Sequence, residues 1–254
     1  MSHSVAVALG SCLLLGLRHG FDYDHLAAIT DIASVQRGWR EGMRLGLLYA
    51  LGHAFMIAVL GVPVILWHLA LPDRMDAVGE RLVGATLVGL GAYVLATSMR
   101  AWQDVRMHAH EHPRVRSRVG VMISAIRWGG WRVRSWFRPG LPRPEAFAFR
   151  YEAGSVFLVG VVHGLGAETP SQLMLFLLAA NLGGPKLGLV ALAMFITGLL
   201  VMNTAMTASA SGVFAGSVRR PKLMAAVTSL AAAYSVAMGM VFLIGKSASL
   251  PALH

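Results

Sequence analysis

The amino-acid sequence predicts an all-α integral membrane protein of about six transmembrane helices, arranged as a 3+3 inverted repeat. Three observations carry that prediction. Of 254 residues, 56% are hydrophobic and only 13% charged, with a mean hydropathy of +0.62, whereas a soluble domain has about a quarter of its residues charged. The charges gather in a few segments and leave long apolar runs, and in lipid the backbone can satisfy its hydrogen bonds only as helices or a closed barrel. The runs are continuous rather than ten-residue alternations, which selects helices.

The first span covers roughly 5–35. Val5 to Leu17 carries no charge, but so short a run cannot cross a hydrocarbon core about 30 Å thick, which takes about twenty helical residues. The helix crosses only by continuing through Arg18-His19-Gly20-Phe21-Asp22-Tyr23-Asp24-His25, taking two imidazoles and two carboxylates to membrane depth. A charge at a helix centre costs roughly 2.5–3.5 kcal/mol on insertion scales, so such a cluster needs a reason to be there. The second span covers 45–71 with Pro63 as a kink, and the third 82–99. The fourth covers 154–182 and carries Pro170; the fifth and sixth cover 187–214 and 223–244.

Loop charges orient the bundle. Arg37, Arg40 and Arg44 separate the first two spans, and Arg219, Arg220 and Lys222 the last two; the long third loop is the most basic. The intervening loops are poorer: Arg74 and Arg81 offset by Asp73, Asp76 and Glu80, then Lys186 alone. The positive-inside bias then places the third loop in the cytoplasm and both termini outside, in a plasma (inner) membrane. The same bias accounts for the net charge of +10 without a nucleic-acid partner. The chain divides into a first three-helix half, 1–101, a basic His-containing loop, 102–152, and a second three-helix half, 153–254. Cys12 is the single cysteine, so neither an intrachain disulfide nor a thiolate metal cluster can form. No charge precedes the first apolar run and Arg18 stands where a small-residue cleavage site would be, so no cleaved signal peptide is expected.

The halves echo each other. Gly16-Leu17-Arg18-His19-Gly20 recurs as Gly160-Val161-Val162-His163-Gly164, and Leu82, Ala85, Ala92 and Tyr93 recur at the same spacing as Leu223, Ala226, Ala233 and Tyr234. Three spans per half bring the second half in from the opposite face, the architecture that places a substrate site at the repeat interface of many secondary transporters.

The third loop has two parts. His108, His110 and His112 stand at alternate positions, a tract that either holds a divalent metal loosely or is a solvated linker. From 119 to 137, Val121, Met122, Ile126, Trp131 and Trp136 mix with Arg127, Arg132, Arg134 and the adjoining Arg138. That composition suits either a helix in the cytoplasmic headgroup layer, which Gly129-Gly130 would break, or a disordered basic loop.

On a straight helix, His19, Asp22 and His25 share an arc of about 120° and Asp24 points elsewhere. All four groups reach one ion only if Gly20 lets the helix unwind; otherwise Asp24 stands behind the ligands or faces a neighbouring helix. Imidazole with carboxylate and no thiolate suits nickel, cobalt or zinc; the bland alternative is a buried polar knot between helices. His53 lies mid-span and reads either as a further ligand or as a packing histidine. The fourth span carries His163-Gly164-Leu165-Gly166-Ala167-Glu168-Thr169-Pro170, whose glycines and proline interrupt the helix beside Glu168. Backbone freed at membrane depth is tolerated only against protein or a cavity. The candidate metal ligands are therefore His19, Asp22, Asp24, His25, His53 and Glu168, with His163, Thr169, Asn203 and Thr204 as supporting groups behind them.

His19 through His25 fit the pattern His, four residues, Asp-His, which resembles the signature of the nickel/cobalt transporter family of membrane permeases. Leu51-Gly52-His53-Ala54-Phe55, Gly164-Leu165-Gly166-Ala167-Glu168-Thr169 and Gly198-Leu199-Leu200-Val201-Met202-Asn203-Thr204 fit in the same order, over most of the membrane portion. The resemblance implies secondary import of Ni²⁺ or Co²⁺ as transported substrate, with no prosthetic group. By it, His19, Asp24 and His25 are essential, and His53 and the fourth-span acid contribute. The chain departs from the family pattern at Ala167-Glu168, where Phe-Asp is usual, and at Asn203 and Met206, where acids are usual. It also reads as shorter than eight-span members, lacking one span before the signature and one after it.

Two other readings remain at this stage. Exporters of the same superfamily would use a similar site in the opposite direction. An intramembrane metalloprotease would need His-Glu-x-x-His, which is nowhere in the chain, so no enzyme is expected. Gly245-Lys246-Ser247 lacks the correctly spaced glycine of a phosphate loop, so energy would come from an ion gradient, the membrane potential or an external partner.

Overall fold

Seven helices and no strand form among the described residues. The structure, a computed structural model, describes residues 3–36, 38–69, 73–107, 152–166, 175, 178–179, 183–218 and 220–246, with side chains described outside 73–76, 97–107 and 221. In chain order the helices are α1 (His3–Gly20), α2 (Tyr23–Ser34), α3 (Trp39–Trp67), α4 (Asp73–Met107), α5 (Ala153–Gly164), α6 (Pro185–Ser217) and α7 (Pro221–Leu243). Pro185 and Pro221 sit in the first turns of their helices, where a missing N–H costs nothing.

Four segments are long and apolar enough to cross a membrane: Trp39–Trp67, Ala77–Ala96, Pro185–Ser217 and Lys222–Leu243. α1 and α2 pass together as a fifth, bent by 53° at their junction. The helix breaks at residues 21–22, just past Gly20, which still belongs to α1 and is not among the positive-φ glycines. The amide of Phe21 donates to the Arg18 carbonyl and that of Asp22 to the His19 carbonyl, and α2 starts afresh at Tyr23. Of the expected fourth span, α5 supplies twelve residues and 175 and 178–179 are helical; 167–174 and the third loop from 108 to 151 lie outside the described residues. Large apolar side chains point outward, with Leu14 65%, Leu158 60% and Leu230 72% exposed, as lipid-facing surfaces require.

Helix pairing follows the glycines. α1 runs parallel to α6, α3 runs parallel to α5, and α4 packs antiparallel on α7. A Cβ on Gly16 would overlap the Phe195 carbonyl, and one on Gly198 the Leu13 carbonyl. In the other pair, a Cβ on Gly160 would overlap the Tyr49 carbonyl, and one on Gly52 the Phe157 carbonyl. Further along, Gly20 faces Leu199 and Met202 as Gly164 faces His53 and Met56. Exchanging α1 for α5 and α6 for α3 therefore carries one set of contacts onto the other. Small residues permit this approach of backbones, which replaces the hydrophobic driving force that lipid does not supply.

The ends of the bundle differ in charge. Gly42 meets Ser211 and Gly46 meets Thr207, so the start of α3, with Arg40 and Arg44, lies beside the end of α6, with Arg220 just beyond. α4 ends, and α5 and α7 begin, at this same end.

Candidate metal site

The α1–α2 junction faces the middle of α3. His19 ends α1 and His25 lies in the first turn of α2, so the bend brings both rings to one side, where His53, the central residue of α3, meets them. Ring centroids are 5.0 Å apart for His19–His25, 5.2 Å for His19–His53 and 4.4 Å for His25–His53. One nitrogen from each lies within 4.8 Å of the others. No ring is more than 1% exposed. Phe195 of α6 lies against the His19 ring, with centroids 5.4 Å apart.

Each ring has a defined outer contact or an open one. His19 Nδ1 lies 3.0 Å from Asp22 Oδ2, and its Nε2 lies 3.0 Å from His53 Nε2. A carboxylate oxygen only accepts, so His19 carries its proton on Nδ1 and turns the Nε2 lone pair inward. Asp22 precedes α2 in extended backbone but makes no side-chain cap, because its carboxylate is engaged by His19. His25 Nδ1 lies 3.2 Å from the Tyr49 hydroxyl. His25 Nε2 and His53 Nδ1 are buried without hydrogen-bond partners. His19 Nε2 then accepts from His53 Nε2–H, and a borderline divalent cation bound by all three rings displaces that proton to His53 Nδ1, which has no partner.

Of the sequence-derived candidates, His19, His25 and His53 come together. Asp22 touches the outer nitrogen of His19 and is 24% exposed. Asp24 is buried on α2 with Oδ1 unpartnered, outside the three-histidine group. His163 reaches the site indirectly: its Nδ1 lies 2.9 Å from the Tyr49 hydroxyl and its Nε2 2.8 Å from Thr86 Oγ1. Asn203 is fully buried with both amide atoms unpartnered, and the Thr204 hydroxyl donates to the Leu200 carbonyl. Glu168, Thr169, His108, His110 and His112 lie outside the described residues.

Tyr49, Thr86 and Asp31 are groups that sequence reasoning missed. Tyr49 lies one turn before His53 on the same helical face, a phenol in an otherwise apolar run, which is the signal that could have found it. Asp31 is fully buried on α2, and an acid inside a span is itself such a signal. Thr86 carries no distinguishing pattern, since threonines are common between membrane helices.

The chain is similar to metal-transport proteins. The high-affinity nickel transport protein of Cupriavidus necator is 26% identical over 238 residues, covering 85% of this chain and 63% of the relative. The cobalt transport protein of Rhodococcus rhodochrous is 28% identical over 215 residues, covering 76% and 56%. The nickel transporter of Mycobacterium tuberculosis is 24% identical, covering 92% and 66%. The chain thus spans about six tenths of the length of these relatives. No family model matches the chain, and no solved structure matches it significantly.

Proposed function

We propose that this multi-pass membrane chain, similar over most of its length to proteins named as nickel and cobalt transporters, carries a divalent transition-metal ion, Ni²⁺ or Co²⁺, into the cytoplasm. The observation that carries the reading is the convergence of His19, His25 and His53 at a break in a membrane helix, all buried and with one nitrogen each within 4.8 Å. Two nitrogens 3.0 Å apart, each about 2.1 Å from one ion, subtend about 90°, the angle of neighbouring ligands in square-planar or octahedral coordination.

The remaining parts follow from that site. His19, His25 and His53 ligate, Asp22 orients His19, and Asp24 and Glu168 supply negative charge that offsets the incoming cation. The halves 1–101 and 153–254 form an inverted repeat around the ion, and 102–152 is the cytoplasmic loop. The metal is cargo, held firmly enough to select and loosely enough to release. Uptake of radiolabelled nickel by cells expressing the full chain is the test. Replacing His19 or His25 with alanine should abolish accumulation while the protein remains in the membrane at normal abundance; undiminished uptake in either variant removes the reading.

A further inference from the structure

His25 is the one histidine of the cluster whose outer nitrogen meets neither a carboxylate nor empty space. Its Nδ1 faces Tyr49 Oη at 3.2 Å, Tyr49 Oη faces His163 Nδ1 at 2.9 Å, and His163 Nε2 faces Thr86 Oγ1 at 2.8 Å. Thr86 in turn donates to the Val83 carbonyl at 2.8 Å. The chain of contacts crosses from α2 through α3 and α5 to α4, and His25, Tyr49 and His163 are all at most 1% exposed.

The direction of every bond follows from its last member. A carbonyl cannot donate, and a hydroxyl has one proton. Thr86 makes both of its contacts at once only by giving that proton to Val83 and accepting from His163 Nε2–H. Neutral His163 then has a bare Nδ1, which accepts from the Tyr49 hydroxyl. With its proton committed there, Tyr49 accepts from His25 Nδ1–H. His25 is left with a lone pair on Nε2, the buried nitrogen that has no hydrogen-bond partner.

We infer that Thr86, His163 and Tyr49 form a directional hydrogen-bond relay that fixes the tautomer of His25, so that its Nε2 presents a lone pair to the ion. The relay rests on the proposed metal site and deepens it: Tyr49, His163 and Thr86 are positioning residues that act on the ion only through His25. Ligating histidines depend on such outer partners for orientation and basicity, and losing one costs about 10–100-fold in affinity. The relay also ties the ligand to α4 and α5, elements that contribute none of the three clustered histidines.

The relay makes an unusual prediction: the residue farthest from the ion matters more than the nearer one. In Thr86→Val the acceptor for His163 Nε2–H is gone and the chain can reverse. His163 Nδ1–H then donates to Tyr49, Tyr49 donates to His25 Nδ1, and the His25 proton moves to Nε2, where it blocks the ion. Tyr49→Phe removes the donor that enforces this wrong tautomer.

The test uses the full chain in lipid nanodiscs, with ¹⁵N-labelled histidine. The His25 signals are identified by their loss in His25→Gln, and Ni²⁺ is titrated calorimetrically into the same samples. The wild type and Thr86→Ser should hold His25 as the Nδ1–H tautomer without metal. Thr86→Val should shift it to Nε2–H and weaken Ni²⁺ binding about 10–100-fold. Adding Tyr49→Phe to Thr86→Val should recover binding to the level of Tyr49→Phe alone. An unchanged His25 tautomer in Thr86→Val, or losses that simply accumulate in the double variant, overturns the relay. A wild type that shows the tautomer pattern but binds no Ni²⁺ overturns the metal reading instead.

Discussion

His19 has two nitrogens with two different neighbours, and the difference separates a proposed ligand from the group that aims it. The Asp22 carboxylate meets Nδ1 at 3.0 Å, while Nε2 faces His53. Asp22 therefore accepts the ring proton, fixes the ring and raises the basicity of the inward nitrogen, the arrangement common behind metal-bound histidines. Asparagine can still accept from Nδ1–H through its carbonyl oxygen; alanine cannot. Asp22→Ala should raise the nickel concentration for half-maximal uptake by about 10–100-fold, and Asp22→Asn by clearly less. Were Asp22 a direct ligand, the two variants would be equally impaired. The sequence pattern of His, four residues, Asp-His made His19 and His25 legible, and an unexplained mid-span imidazole made His53 legible. It could not rank Asp22 against Asp24, because on a straight helix their directions are fixed by a periodicity that the break at residues 21–22 removes.

At the scale of helices, the fold rests on glycines whose missing Cβ atoms let backbones touch. Gly16 and Gly198 close the α1–α6 seam, and Gly160 and Gly52 close the α3–α5 seam with the exchanged contacts. Overpacking a tight interior costs about 1–3 kcal/mol, so Gly16→Ala and Gly160→Ala should each lower the midpoint of thermal unfolding in detergent, by similar amounts. Gly212→Ala on α6, where nothing lies within 4 Å of an added Cβ, should leave it unchanged or raise it. Unequal losses from Gly16 and Gly160 would count against an equivalence of the two seams. The echo between Gly16-x-x-His19-Gly20 and Gly160-x-x-His163-Gly164 was readable because glycine spacing is dictated by backbone contact. Its consequence was not readable. The two histidines of the echo face different neighbours: His19 meets Asp22 and His53, whereas His163 meets Tyr49 and Thr86. A long-range partner such as Thr86 leaves no local periodicity from which it could be inferred.

For the molecule as a whole, the direction of transport becomes a question of energy. Arg40, Arg44 and Arg220 share one end of the bundle, the end at which α5 and α7 begin, and the positive-inside bias identifies that end as cytoplasmic in the proposed topology. The sequence holds no phosphate loop, which leaves an ion gradient, the membrane potential or an external partner as the expected source of energy. The membrane potential is sufficient for entry. A divalent ion moving to the negative side gains about 4.6 kcal/mol per 100 mV, enough for roughly 2,000-fold accumulation with no coupled ion. Export would have to overcome the same quantity by coupling to another gradient. Collapsing the potential with valinomycin in high external potassium, at constant pH, should therefore cut initial nickel uptake by cells carrying the protein to near that of His25→Ala cells. The same cells at normal potential should be more sensitive to nickel than the His25→Ala control. If the protein instead protects cells from nickel, and depolarisation lowers the nickel they retain, the ion is being driven outward and the import direction is wrong.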